Sequence, residues 1–427
     1  MKLSWFHLMP YRFLPEDFKE KYRSVWVDVP SELYDAGKMH GLYHEFLDEL
    51  EFAEQCGFDG LCVNEHHQNA YGLMPSPNLM AAALSRRTQR AVITVLGNSI
   101  ALYNPPVRIA EEFAMLDVMT GGRFIAGFPV GTSMDTNFAY GAVPATLRDK
   151  YREGHDLIIQ AWTRPEPFSF NGKYTQLRYV NIWPRPLQKP HPPVWIPGGG
   201  SIETWDWVLE HDYCYCYLSY FGFIRGSKVL QGFWQRCDAR GLERNPYRSG
   251  FLQLVAVAET DAAAERAYYA HADYFYNKCL HVFEGFADAP GYRTQETLRA
   301  GFTPQVGDRP SSLRSKLSWK DLLDQGYVIG GSPATVRERL EYALKELHTG
   351  HLMVLCQFGS MPPELARQNT ELFATAVAPH VRPLFQEWED RWWPQPFPLP
   401  GGEGAQAVAR ATGSDRQSQY DSAVGLE

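Results

Sequence analysis

Gly60-Leu61-Cys62-Val63-Asn64-Glu65-His66-His67 joins a short apolar run to a cluster of ionisable groups, and its reading decides the fold. Buried strands that end in such clusters are where α/β proteins place their chemistry. Alternate side chains of a strand share a face, so Cys62, Asn64 and His66 point one way and Leu61, Val63 and Glu65 the other. One imidazole then faces an enclosed site. The competing reading is plainer: both histidines cap a strand end by bonding to backbone.

Outward from this stretch the same grammar repeats. Apolar runs at Lys2 to Leu8, Gly60 to Asn64, Val92 to Gly97, Arg123 to Phe128, Pro193 to Ile196, Tyr213 to Leu218, Phe251 to Ala256 and Leu352 to Cys356 are each followed by punctuation and a helix-period segment. Phe46, Leu50 and Ala53 form one helical stripe that stops at Gly57. Val107, Ala110 and Ala114 form another, begun by Pro105-Pro106. Eight strand-helix units predict an α/β fold closed into a (β/α)8 TIM barrel. A doubly wound open sheet is the runner-up, weakened because no strand leads into Gly-x-Gly-x-x-Gly.

Three stretches break the alternation: about 9–40 after the first strand, 168–192 before the fifth, and 259–326 between the seventh and eighth. The second carries Asn171-Gly172 and reads as a hairpin. Loops that follow barrel strands gather over one mouth, so the first and third are candidate lids, with packing or an oligomer interface as the alternative. Residues 1–393 are expected to form one domain, and the Pro/Gly-rich then small and polar stretch 394–427 a disordered tail.

The 427 residues, 44% hydrophobic, can bury a large core, and the formal charge of −8 with no basic run speaks against nucleic acid. Seven scattered cysteines suit buried thiols in a reducing compartment. Cys214 and Cys216 have no second Cys or His pair nearby, so no metal is expected. The N-terminus lacks a signal pattern and no run approaches the ~20 apolar residues of a membrane span, so a cytoplasmic protein is expected.

Gly198-Gly199-Gly200-Ser201 follows a strand and opens a helix from Ile202 to Glu210. Open backbone N–H groups and a hydroxyl there suit an anion at a helix N-terminus, the alternative being a flexible turn. Arg148 begins the helix Arg148 to Trp162. Tyr11, Trp26, Phe128, Tyr220 and Phe221 are aromatics that either line an apolar cavity or pack the barrel.

Several motifs occur in a fixed order: Gly57-Phe58-Asp59, Glu65-His66-His67, Asn104-Pro105-Pro106-Val107-Arg108-Ile109-Ala110-Glu111-Glu112, and Leu116-Asp117-Val118-Met119-Thr120-Gly121-Gly122-Arg123. Arg148-Asp149-Lys150-Tyr151-Arg152-Glu153, Val194-Trp195-Ile196-Pro197-Gly198-Gly199-Gly200-Ser201 and Val328-Ile329-Gly330-Gly331-Ser332-Pro333 continue the series. In this order the chain resembles the bacterial luciferase-like flavin monooxygenase family.

The resemblance implies a barrel that binds reduced FMN (FMNH2) at its C-terminal mouth, where O2 adds to give a C4a-hydroperoxide that oxidises a small organic substrate. It makes His66 the acid-base group, a role that an imidazole with a pKa of about 6.5 suits. Glu65 is then outward or orients its neighbour, and His67 is a structural partner. Arg148, Tyr151, Gly199, Gly200 and Ser201 become cofactor-binding residues. Asn98 and Ser99 fall where the family carries a strained bulge, often a cis peptide, under the flavin. Phe128-Pro129-Val130-Gly131 replaces the Cys-Arg pair of the luciferase catalytic subunit, which makes light emission doubtful.

With no NAD(P)H segment of its own, the chain is expected to receive FMNH2 from a separate NAD(P)H:flavin reductase, and by resemblance to form a homodimer or higher homo-oligomer. The alternatives are a deazaflavin-dependent oxidoreductase, a non-catalytic luciferase-like partner subunit, and a metal-dependent barrel hydrolase, for which adjacent His66 and His67 are poor joint ligands.

Overall fold

In the computed structural model, residues 1–131, 133–287, 289–300 and 316–397 are described. The strands in chain order are β1 (Lys2–Phe6), β2 (Gly60–Val63), β3 (Val92–Val95), β4 (Phe124–Gly127), β5 (Phe168–Asn171), β6 (Gln176–Val180), β7 (Val194–Gly198), β8 (Cys214–Tyr217), β9 (Ser249–Val257), β10 (Val328–Gly331) and β11 (His351–Leu355). Eight pair in parallel and close a ring, β1-β2-β3-β4-β7-β8-β9-β11 and back to β1. These are the eight apolar runs expected to be strands. Most are buried along their whole length, as strands covered on both faces must be.

The ring has one addition that the sequence reading lacked. β9 is nine residues long, and β8 pairs only with its first part, Ser249 to Phe251. The free edge is taken by β10, in register from Val328↔Leu254 to Gly331↔Val257. Leu254 also pairs with Leu355 of β11, so β10 continues the side that β8 leaves.

Outside the ring, the helix Ala36–Gln55 buries Met39, Leu42, Phe46, Leu50 and Ala53 at three- and four-residue spacing. Burying Phe46 or Leu50 contributes roughly 1.5–3 kcal/mol each. The helix Val107–Thr120 stops at Gly121, whose φ of 66° is the left-handed turn that glycine adopts without strain. β5 and β6 form the expected antiparallel hairpin. The Glu153 carboxylate accepts the Lys173, Tyr174 and Thr175 N–H groups across its turn.

The strand N-termini are sealed by the chain's last described turns. Trp195 Nε1 donates to Trp392 O at 3.0 Å, Trp392 Nε1 donates to Asp212 O at 2.7 Å, and Trp393 stacks on His351. The opposite end stays open, so the cavity forms there. Residues 301–315 of the third insertion and 398–427 lie outside the described residues, and with the latter most of the expected disordered tail.

Candidate active site

A cavity of about 440 Å³ opens at the C-terminal ends of the strands. β2 and β7 stand three places apart in the ring, so their loops face each other across this mouth. The β2 loop brings His66 and the β7 loop brings Gly199, Gly200 and Ser201, and all four line the cavity.

β2 ends at Val63, so strand alternation stops before it reaches His66. The imidazole reaches the cavity through loop contacts instead. Its Nδ1 lies 3.4 Å from Asp135 Oδ2, and its ring meets Tyr71 edge to face at 4.7 Å. Asp135 is fully buried in the short helix Met134–Ala139 and also accepts from Asn69 Nδ2 at 3.1 Å. Burial pushes its carboxyl up, but the hydrogen bond and charge of His66 outweigh that and hold it below the ordinary range.

Of the two readings of Glu65, the structure has the second, in which it orients its neighbour. It is not directed outward: it is buried in the cavity wall, where it accepts from Ser99 N at 2.9 Å and Tyr103 Oη at 2.8 Å and pairs with His67 Nε2 at 2.8 Å. Polar partners inside the mouth outweigh the alternation of a strand that has already ended. The Asn98–Ser99 bond is not cis, since among the described residues the three cis bonds all precede proline. Glu65 satisfies the Ser99 N–H in the trans form, and Asn98 N donates to Gly127 O at 3.2 Å. Ser99 lines the cavity, whereas Asn98 is buried behind it.

Across the mouth, Gly200 takes φ 98° and turns the chain from β7 into the helix Ile202–Glu210. A Cβ on Gly199 meets nothing within 4 Å, so its backbone is open to a ligand. Ser201 caps the helix, its Oγ accepting from Thr204 N. Arg148 stands behind the cradle, its Nη2 donating to Ser201 Oγ at 3.0 Å and its guanidinium lying 4.3 Å from the Tyr292 ring centre. Arg148 Nε has no partner among the described residues. Tyr151 does not line the cavity. It donates to Phe128 O at 3.0 Å and borders a small recess with Arg148 and Thr204.

Of the five candidate cavity aromatics, Trp26, Tyr220 and Phe221 line the cavity. Tyr11 and Phe128 do not. Tyr11 donates to Leu33 O within the first insertion. Phe128 stacks on Phe113 and Trp162 outside the barrel, because strand alternation continued from β4 turns it to the helix side. Both lid candidates reach the mouth: Trp26 comes from the first insertion, and Leu280, Val282 and Tyr292 from the third.

Several site residues escaped the sequence reading. Among them Tyr71 donates to Tyr220 Oη in the cavity wall, while the already named Asn64 and Trp26 have Oδ1 and Nε1 buried without partners among the described residues. Asp135 had one signal, since Ser133-Met134-Asp135 is a helix start with an acid in its first turn. Glu203, in the first turn beyond Ser201, had the same signal. These groups fit a flavin-like cofactor: an open backbone cradle with a cation for its phosphate, and orphaned polar atoms beside an imidazole. Among the described residues no cluster of His, Cys, Asp and Glu is arranged to hold a metal, and no helix is long and apolar enough to cross a membrane.

The profile of a family described as luciferase-like monooxygenase matches residues 29–349. Over 160 residues the chain is 28% identical to the oxygenase component of the flavin-dependent trigonelline monooxygenase of Acinetobacter baylyi, spanning 36% of this chain and 43% of that relative. The chain thus aligns with less than half the length of this relative. The oxygenating constituent of 3,6-diketocamphane monooxygenase from Pseudomonas putida, solved in complex with FMN, matches with a TM-score of 0.66 at 19% identity, covering 89% of this chain and 98% of that one. An F420-dependent secondary alcohol dehydrogenase has the same fold at a TM-score of 0.57 and 17% identity, covering 89% and 99%.

Proposed function

Because the chain belongs to the luciferase-like monooxygenase family, whose members are flavin-dependent oxidoreductases using FMN or F420, we propose that it is the oxygenase component of a two-component FMN-dependent monooxygenase. The observation that carries this reading is one cavity with His66 on one wall and the Gly199-Gly200-Ser201 cradle on the other. Reduced flavin, when bound, supplies the electrons that activate O2. A separate NAD(P)H:flavin reductase delivers it, and the chain works in the cytoplasm as a homodimer or higher homo-oligomer. The seven cysteines are all free thiols, which suits that compartment.

Each wall has its task. Open backbone at Gly199 and Gly200, the Ser201 hydroxyl and Arg148 bind the phosphate. Ser99, which lines the cavity, would contact the cofactor's ring, and buried Asn98 would support it. His66, oriented by Asp135, holds or moves a proton beside the reacting edge. Trp26, Tyr71, Tyr220 and Phe221 exclude water. Trp26 Nε1 and Asn64 Oδ1 offer a small organic substrate one donor and one acceptor.

The test is anaerobic titration of the full chain with reduced FMN and, separately, with reduced F420, followed by ¹⁸O2 and a panel of ketones, sulfonates, amines and terpenes. Binding of reduced FMN and one labelled oxygen in a product support the proposal. Hydride transfer with F420 and no incorporated label would sink it. Binding of neither cofactor would favour a non-catalytic partner subunit.

A further inference from the structure

The cradle that should receive a phosphate has an acid at its back: Glu203 borders the small recess with Arg148 and Thr204 and does not line the main cavity. Glu203 lies in the first turn of the helix Ile202–Glu210, with its side chain only 17% exposed. Its Oε2 accepts from Ser201 Oγ at 3.0 Å, from Thr297 Oγ1 at 2.7 Å and from Arg148 Nη2 at 3.4 Å, and its Oε1 accepts from the Thr294 hydroxyl. Three hydroxyls and a guanidinium are the donor set a phosphate group seeks.

Two of the cradle's own donors are committed as well. Ser201 has a single hydroxyl proton, and it is given to Glu203. The Ile202 N–H, which a helix start would offer to an anion, donates to Thr297 Oγ1 at 3.3 Å. An arriving phosphate therefore meets a carboxylate of its own sign on the donors it needs. Burial raises the Glu203 carboxyl, but the Thr294 and Thr297 hydroxyls, with Arg148, outweigh this and hold it below its ordinary range.

We propose that Glu203 is a built-in competitor for the phosphate of the cofactor, so that flavin binds weakly enough to arrive from a reductase and leave again. The inference rests on the flavin reading above. It makes Glu203 a determinant of cofactor exchange rather than a simple helix-start acid, which would be favourable at this position anyway.

The experiment is calorimetric titration of the full chain with inorganic phosphate at fixed ionic strength, comparing wild type with Glu203→Gln. The glutamine keeps an acceptor for the threonines and removes the charge. Deleting a like charge this close should tighten phosphate binding by about tenfold or more. Unchanged or weaker phosphate binding by folded E203Q overturns the proposal. A lowered melting temperature with unchanged affinity identifies a structural acid and does the same.

If E203Q does not fold, wild type alone decides through its preference for FMN over riboflavin. A competitor limits that preference to about tenfold, and a preference of roughly a hundredfold or more overturns it. The two readings fail separately. Tighter phosphate binding by E203Q without flavin binding leaves the competitor and removes the flavin, whereas equal FMN binding by both proteins does the reverse.

Discussion

The two walls of the mouth each have a carboxylate in attendance, buried Asp135 on one and half-buried Glu203 on the other, placed to opposite effect. Asp135 stands behind His66, 3.4 Å from its Nδ1, while Glu203 stands with Arg148 behind Ser201, 3.0 Å from its Oγ. Both acids are held below their ordinary range despite burial, one by an imidazole and the other by hydroxyls. Behind a group that handles a proton, a negative charge holds it in one orientation. Within a group that handles an anion, the same charge opposes the ligand. The wall built for chemistry is thus preorganised, and the wall built for binding is contested.

The largest effect tests whether the first wall does chemistry at all. His66→Ala should leave flavin affinity nearly unchanged and lower substrate oxidation by about 10² or more, the scale of a lost acid-base group. Rapid-mixing turnover with FMNH2 and oxygen measures it. Undiminished turnover would erase the distinction between the walls.

The second wall should respond in the opposite manner. Arg148→Met removes the cation of the cradle and should weaken FMN binding roughly 10- to 100-fold, the range for lost charge-assisted bonds. The turnover number at saturating flavin should change little. A fall in turnover with intact affinity would move Arg148 into the chemistry.

Asp135→Asn gives a smaller and sharper signal. As a positioning residue, Asp135 should lower turnover about tenfold on replacement, within the range seen for lost orienting partners, and move the pH profile of kcat/KM with little change in KM. A loss of protein without a moved pH profile would make Asp135 merely structural. Its folded pKa is depressed, so its stabilising contribution is present above the unfolded value of roughly 3.9 and is lost as pH falls through the lower folded value. The stability gap between wild type and D135N should therefore be wider at pH 7 than at acid pH, as urea unfolding can measure.

How legible each feature was follows from the range of the force that made it. The eight ring strands were readable because each is a local apolar run, and the hairpin because Asn171-Gly172 favours a tight turn. β10 was missed as a strand because it exists only where long β9 leaves an edge. The helix after Ser201 matched its expected span. Of the two alternatives for Glu65, outward or orienting its neighbour, the pair with His67 selects the second, because alternation stops at Val63 and loop hydrogen bonding takes over.

By itself the sequence determined the ring, its insertions and the motif order, since hydrophobic period, turn chemistry and helix starts act over a few residues. It also singled out His66 and the glycine cradle, which sit at strand ends. Only the tertiary structure decided which acids attend them. Asp135 reaches His66 across 69 positions of chain and Thr297 reaches Glu203 across 94, and contacts so distant leave no local pattern, because barrel closure rather than sequence spacing brings them together.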